Sequence, residues 1–276
     1  EISYVLSDVL HCERLYTLSG LNSDSGNYFE APHFDGIDSF EMDDKALMPL
    51  LTECRVIKTE EEIELLRYVN KISSEAHMEV MRKCRPGMSE FQIEALFRYY
   101  VYDKGGCRHC SYTCICGSGP SGAILHYGHA GAPNDRLIED GDMLMFDMGG
   151  EYHCYGSDIS RSYPINGVYT ETQKGIYQAV FDAQEAVMNA MKPGVNWKDM
   201  HRLADRVICE RLRDLGYLKG DIDEMMNLYI PSIFMPHGLG HLLGIDTHDV
   251  GGYPEGIEKT NEPGLSAYPF FITTDQ

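Results

Sequence analysis

The sequence predicts an α+β fold of two αβ halves that face each other across a cleft, preceded by the remnant of a smaller domain. Three observations predict it. A helix–Pro-Gly–helix unit occurs twice, and a strand-like stretch with two embedded aspartates separates the copies. The first 55 residues hold only short apolar runs, a Gly/Asn/Ser-rich patch and the acidic stretch EMDDK. A chain of 276 residues is long enough to bury a substantial core as one large domain or two unequal ones.

Residues 1–55 read as the remnant of a separate small domain and its linker, and residues 56–276 as the main domain. The chain opens EISYVLSDVL without an initiator Met, a basic leader or a cleavage site. It thus begins in mid-fold, with upstream sequence expected. At Thr59 the character changes. Thr59 and Glu62 form a capping box, and Leu65, Val69, Ile72, Ala76 and Val80 keep helical spacing until Arg85-Pro86-Gly87 stops the run. Ser89 and Gln92 cap a second helix carrying Phe91, Leu96 and Tyr100. Next come strand-like runs, 142–148 and 152–164, flanking Gly149-Gly150, which reads as a hairpin. Thr170 and Gln173 then open a helix through Tyr177, Val180, Ala186 and Met191, ended by Lys192-Pro193-Gly194. Asn196 caps its partner, with Trp197, Met200, Leu203, Val207 and Leu212. RPGMS (85–89) and KPGVN (192–196) lie 107 residues apart, and each leads through a Gly-rich segment to a histidine, His126 or His237. Two matches in register favour an internal duplication.

Lys+Arg 23 against Asp+Glu 43 gives a net charge of −20, which argues against nucleic acid and anionic membranes as partners. No run of 18 apolar residues is present, so no transmembrane helix is expected. Nine cysteines are odd in number and mostly scattered, which favours a reduced, cytoplasmic protein over a disulfide framework. Cys107, Cys110, Cys114 and Cys116 cluster. Cys114-Ile115-Cys116 has strand spacing, so small buried residues are expected there in preference to a zinc site.

The chemistry concentrates in two stretches. Asp147 ends an apolar strand and Asp158 follows eleven residues later, and His237, His241 and His248 sit in HGLGHLLGIDTHD. Carboxylates and imidazoles converging from distant segments are a ligand set for divalent metal. Paired metals hold a hydroxide and polarise a carbonyl, which is hydrolytic chemistry. Three glycines, and no Glu after His237, exclude the helical H-E-x-x-H zinc pattern. The glycines are expected to let the backbone pass close to metal or substrate.

HGLGHLLGIDTHD at 237–249 resembles the proline-peptidase motif of the pita-bread metallopeptidases, and the Asp147/Asp158 stretch is similar to that family's first two metal ligands. The resemblance runs from about Lys58 to about Leu265. With GSGPSGAILHYGHAGAPNDR at 117–136, the wording is most similar to the Xaa-Pro dipeptidase (prolidase) branch. It implies a pita-bread fold, two divalent ions, most commonly Mn2+, and hydrolysis of dipeptides with a C-terminal proline. It also implies a homodimer for full-length members. Residue by residue, Asp147 would chelate one metal, Asp158 bridge both, and His241 bind the other. His126, His237 and His248 would line the pocket and shuttle a proton, with Tyr112 as a further substrate-pocket residue. Aminopeptidase P shares the fold and is the alternative enzyme; a catalytically inactive member acting through interactions is the alternative outside enzymes.

Two departures follow. Thr247 stands where the family has Val or Ile. The family's two further metal-binding glutamates are unmatched: after Leu265 the text reads SAYPFFITTDQ, and Glu262 in NEPG sits too close to His248, with its Tyr misplaced. The expectation is a truncated catalytic domain with impaired activity.

Overall fold

A computed structural model describes residues 1–21 and 27–251. Glu262, the NEPG segment and PFFIT lie outside them. The chain divides into two compact units, 1–57 and 58–276.

The first unit carries a one-turn helix α1 (Ile2–Tyr4) and two small sheets. β1 (Arg14–Tyr16) pairs in parallel with β4 (Glu41–Asp43), and β2 (Gly20–Leu21) pairs antiparallel with β3 (Tyr28–Phe29). A helix that sequence periodicity did not reveal, α2 (Leu47–Val56), closes it. None of its residues is buried.

In the second unit the capping signals hold. The Thr59–Glu62 box opens α3 (Glu60–Lys83), and the Ser89–Gln92 box opens α4 (Glu90–Gly105). The Thr170–Gln173 box opens α5 (Glu171–Ala190), and Asn196 caps α6 (Trp197–Asp214) through the amide of Lys198. Each box satisfies otherwise orphaned first-turn amides. A short α7 (Ile222–Asn227) follows. Gly87 and Gly194 share the same left-handed φ of +88°, each with open space around it. The two Pro-Gly turns therefore share one glycine conformation, in keeping with the expected duplication.

Two three-stranded antiparallel sheets are built from the chain between α4 and α5. One orders β10 (Ser160–Pro164), β7 (Met143–Asp147) and β6 (Ile115–Ser118); the other orders β5 (His109–Cys110), β8 (Gly150–Tyr152) and β9 (Tyr155–Gly156). The expected hairpin turn at Gly149-Gly150 is corrected. The reversal occurs at His153 and Cys154, both at positive φ, while Met148-Gly149 crosses from one sheet to the other. Gly149 is needed there for space, because a Cβ would sit 1.6 Å from the Ser157 carbonyl oxygen.

The main core joins α3 and α4 to the first sheet through Val69, Ile72, Ala76, Val80, Ile93, Phe97, Val101, Leu144, Phe146 and Met148. Full burial of each large side chain contributes about 1.5–3 kcal/mol. The expected face of α3 is the buried one. On α4 it is Ile93, Phe97 and Val101 that are buried, and Phe91 points outward. On α5 the small residues Ala179, Ala183 and Val187 turn inward, whereas the expected Tyr177 and Val180 are exposed. That helix is apolar on two faces, and the sequence does not say which one packs. Cys107, Cys114 and Cys116 are buried, and all nine cysteines are free.

Candidate metal centre

Asp147 is the last residue of β7, and its Cα partner in β10 is Ser160, so Asp158 arrives just before that strand on the neighbouring chain segment. Helix α3 fixes the crossing between them from behind. Ser73 Oγ lies 2.7 Å from Ser157 Oγ and accepts from the Gly150 amide at 3.0 Å. His77 Nε2 is 3.0 Å from the Met148 carbonyl oxygen. Burial holds His77 below the usual imidazole range despite that bond. These polar groups lie on the buried face of a helix, where apolar periodicity gives no signal for them.

The segment containing His241 is carried to the same place by three anchors. The Gly156 amide donates to Gly244 O at 3.0 Å, and Thr247 Oγ1 donates to Ser111 O at 3.1 Å. Lys58 Nζ and Asp249 Oδ2 form a shielded ion pair at 2.9 Å. Thr247 thus makes a bond that Val or Ile cannot. Two of the segment's glycines are needed for close packing. Gly240 has φ +59° with the Trp197 ring 3.1 Å from a notional Cβ, and a Cβ on Gly244 would meet Asp249 Oδ2 at 2.2 Å. Trp197 Nε1 also donates to Leu239 O.

At the centre, Tyr112 Oη is within hydrogen-bond reach of Asp147 Oδ1, and of Asp158 Oδ1 at 2.8 Å. Its single phenolic proton is shared between the two carboxylates. For Asp147, burial and then the nearby Asp158 charge outweigh the Tyr112 bond and push its carboxyl up to about 6. Burial also acts to raise Asp158, but the bonds from His241 and Tyr112 outweigh it, and Asp158 falls below the usual carboxylate range. Burial and the two carboxylates push the Tyr112 phenol far up, so it stays protonated.

His241 Nε2 lies 3.0 Å from Asp158 Oδ2, and Nδ1 lies 2.9 Å from Leu242 O. Both partners are acceptors, so imidazolium fills this geometry. The His241 pKa is accordingly raised, the Asp158 bond overcoming burial. The His248 ring lies against that of His241 at a tilt of 42° with centroids 4.2 Å apart, and ligand atoms of Asp158, His241 and His248 all lie within 4.8 Å of one another. His126, at φ +53°, stands at the rim with its ring 6.4 Å from that of His248. His237 is exposed and turns Nδ1 to Gly238 O at 3.0 Å. Tyr112, Asp147, Asp158, His241 and His248 are therefore gathered, His126 flanks them, and His237 makes no bond to the group.

This donor set fits divalent cations. It offers carboxylate oxygens and imidazole nitrogen, the mixture that suits Mn, Fe, Co or Zn. Two neighbouring half-buried carboxylates are held by donors from Tyr112 and His241, where a cation would relieve the same repulsion. The four clustered cysteines form no comparable group among the described residues.

The sequence profile of metallopeptidase family M24 matches residues 64–267. The Xaa-Pro dipeptidase of Homo sapiens is 56% identical over 270 residues, covering 96% of this chain and 55% of that protein. Among solved structures, Pseudomonas aeruginosa aminopeptidase PepP superposes with a TM-score of 0.78 at 33% identity, covering 95% of this chain and 61% of that one. Zinc-substituted E. coli aminopeptidase P in complex with product gives 0.73 at 38% identity, covering 82% and 50%. The chain spans about half the length of the curated relatives it matches. The fold is accordingly that of the pita-bread enzymes, of mixed helix and sheet.

Proposed function

The chain belongs to metallopeptidase family M24, and from that premise we propose that it carries the metal site of a dipeptidase cleaving the bond before a C-terminal proline. The observation that carries the reading is the convergence of Asp158, His241 and His248 from segments more than eighty residues apart, with Asp147 joined through Tyr112. Identity to the human Xaa-Pro dipeptidase supports the substrate class. An Xaa-Pro bond has no N–H and carries a ring, so it calls for a dedicated pocket.

Asp147, Asp158 and His241 would hold two divalent ions, with Mn2+ the proposed metal. Such ions supply Lewis acidity and lower the pKa of water. Asp158 has both oxygens directed into the cluster, one towards Tyr112 and one towards His241, which suits a bridging role. His241 must give up its Nε2 proton to serve as ligand, so metal uptake should release protons and weaken in acid. Tyr112 orients both carboxylates. His248 and His126 would line the substrate side and pass a proton to and from the reacting groups. His237 would join them through a side-chain turn away from Gly238 O. Residues 1–55 are proposed as part of a smaller N-terminal domain and 56–276 as the metallopeptidase domain. Cytoplasmic residence, consistent with nine free cysteines, and a homodimer of the full-length protein belong to the same proposal. Among the described residues no helix is long and apolar enough to cross a membrane.

Asp147 and Asp158 offer two negative charges where two divalent ions bring four positive ones. Retention by these donors alone should be weak and hydrolysis low. Mn2+ titration followed by electron paramagnetic resonance tests the site. Asp158→Asn is expected to weaken binding by at least about 10-fold, since even outer partners of ligands are worth that much. Equal Mn2+ affinity in wild type and variant would refute the site. Gly-Pro hydrolysis against cleavage of a longer Xaa-Pro peptide separates dipeptidase from the aminopeptidase P reading favoured by the structural likeness. Vigorous Gly-Pro hydrolysis lost in Glu262→Gln would make Glu262 a ligand and overturn the expectation of low activity.

A further inference from the structure

We propose that Cys110 and Cys114 form a reversible intramolecular disulfide whose closure displaces Tyr112 from Asp147 and Asp158. The two sulfurs lie 3.9 Å apart, with the Cys114 thiol directed at Cys110 Sγ, and both are free. Cys110 is partly accessible while Cys114 is buried, the arrangement of an attacking thiol backed by a resolving one. Sharing the Cys114 proton, and the nearby Arg98 charge, favour thiolate on Cys110.

The geometry directs the strain of closure. A disulfide requires the sulfurs to approach to about 2.05 Å. Cys110 is paired with Gly150, the Ser111 amide donates to Gly149 O at 2.9 Å, and Ile115 is paired with Asp147. Both ends of the 110–115 segment are thereby tied to strands, and Ser111 O is held by Thr247. Tyr112 and Thr113 are left to absorb the movement. Tyr112 is the middle residue of the ring that closes, and its hydroxyl is the group shared by both carboxylates.

The oxidant is a small-molecule disulfide such as oxidised glutathione. Cys110 thiolate attacks one glutathione sulfur, the S–S bond breaks, and one glutathione thiolate leaves. Cys114 sulfur then attacks Cys110 sulfur, expelling the second. The dithiol loses two electrons and the two thiol protons, which the two departing glutathione thiolates take up. The consequence for metal binding rests on the function proposed above; the disulfide does not.

The full chain, metal-free, is incubated with oxidised glutathione and mapped by mass spectrometry, with the exposed Cys54 and Cys154 as internal controls for mixed disulfides. The expected result is a Cys110–Cys114 cross-link, two fewer titratable thiols, and reversal by dithiothreitol. In protein labelled at tyrosine Cζ, the resonance assigned to Tyr112 by its loss in Tyr112→Phe should shift on oxidation, and stay put in Cys110→Ser. Glutathione retained on Cys110 without a cross-link, or a cross-link that leaves the Tyr112 resonance unmoved, would overturn the proposal. Failure of both reduced and oxidised chains to bind Mn2+ would refute the metal site instead, while mass and resonance still decide the disulfide.

Discussion

Asp147 and Asp158 are chemically identical, and their surroundings separate them. Asp158 has two donors, Tyr112 and His241. Asp147 has burial and a neighbouring charge against it, so its carboxyl titrates above the usual range. Its folded pKa is raised from 3.8 to about 6, so the stability it contributes is full below the unfolded value and is lost as pH rises through the folded one. His77 has the opposite slope, because its folded pKa is lowered and its contribution is lost as pH falls. A single pH curve therefore mixes the two, and a difference against Asp147→Asn isolates the first. In chelator, urea unfolding is expected to show wild type losing about 2–3 kcal/mol relative to Asp147→Asn between about pH 4.5 and about pH 7.5. Parallel curves would mean that Asp147 is ionised normally. Both aspartates were legible in sequence as carboxylates in unusual company. Their different protonation was not, because it depends on which donors fold against them.

At the scale of elements, the crossing between the sheets is the part on which the site hangs. Gly149 passes so close to Ser157 that any side chain strikes backbone, and Ser157 is itself fastened to Ser73 on α3. Gly149→Ala is expected to cost about 3 kcal/mol or more, because neither backbone can yield without breaking those bonds. Gly87→Ala, with positive φ but open space, should cost only about 1 kcal/mol. Thermal unfolding of the two variants checks the ordering, and equal losses would show that the crossing is pliant. Helix starts were readable because a capping box is a local device. The turn was misplaced because Gly149-Gly150 signals a hairpin in sequence and a close approach in space, and one dipeptide serves both.

Across the whole molecule the two helix pairs are unequal. α3 and α4 cover a sheet and share its core, whereas among the described residues α5 and α6 enclose a smaller cluster of Ala183, Val187, Met200 and Ala204 with partly buried neighbours such as Trp197 and Leu203. Ile176, Tyr177, Val180 and Phe181 on α5 and Leu215 at the end of α6 are exposed, as is Phe234 further along the chain. A helix apolar on both faces is built for burial on both, and contiguous exposed apolar surface promotes association. The chain is therefore expected to bind a hydrophobic dye and to self-associate with concentration, with Val180→Glu reducing both while leaving the helical circular dichroism unchanged. A dye-silent, monodisperse wild type at high concentration would remove this expectation.

Sequence alone determined where the long helices begin and stop, that the Pro-Gly unit is repeated, and which residue types were available for a metal. These are local matters of backbone amides, side-chain caps and composition. Tertiary structure decided the rest. It chose Ile93 over Phe91 and Ala183 over Val180 for burial, since periodicity marks apolar faces without naming the partner. It brought His248 beside His241 and left His237 turned to its own neighbour. It also made Tyr112 the shared donor to both aspartates, a role that exists only when strands far apart in the chain place three side chains within one hydrogen bond of each other.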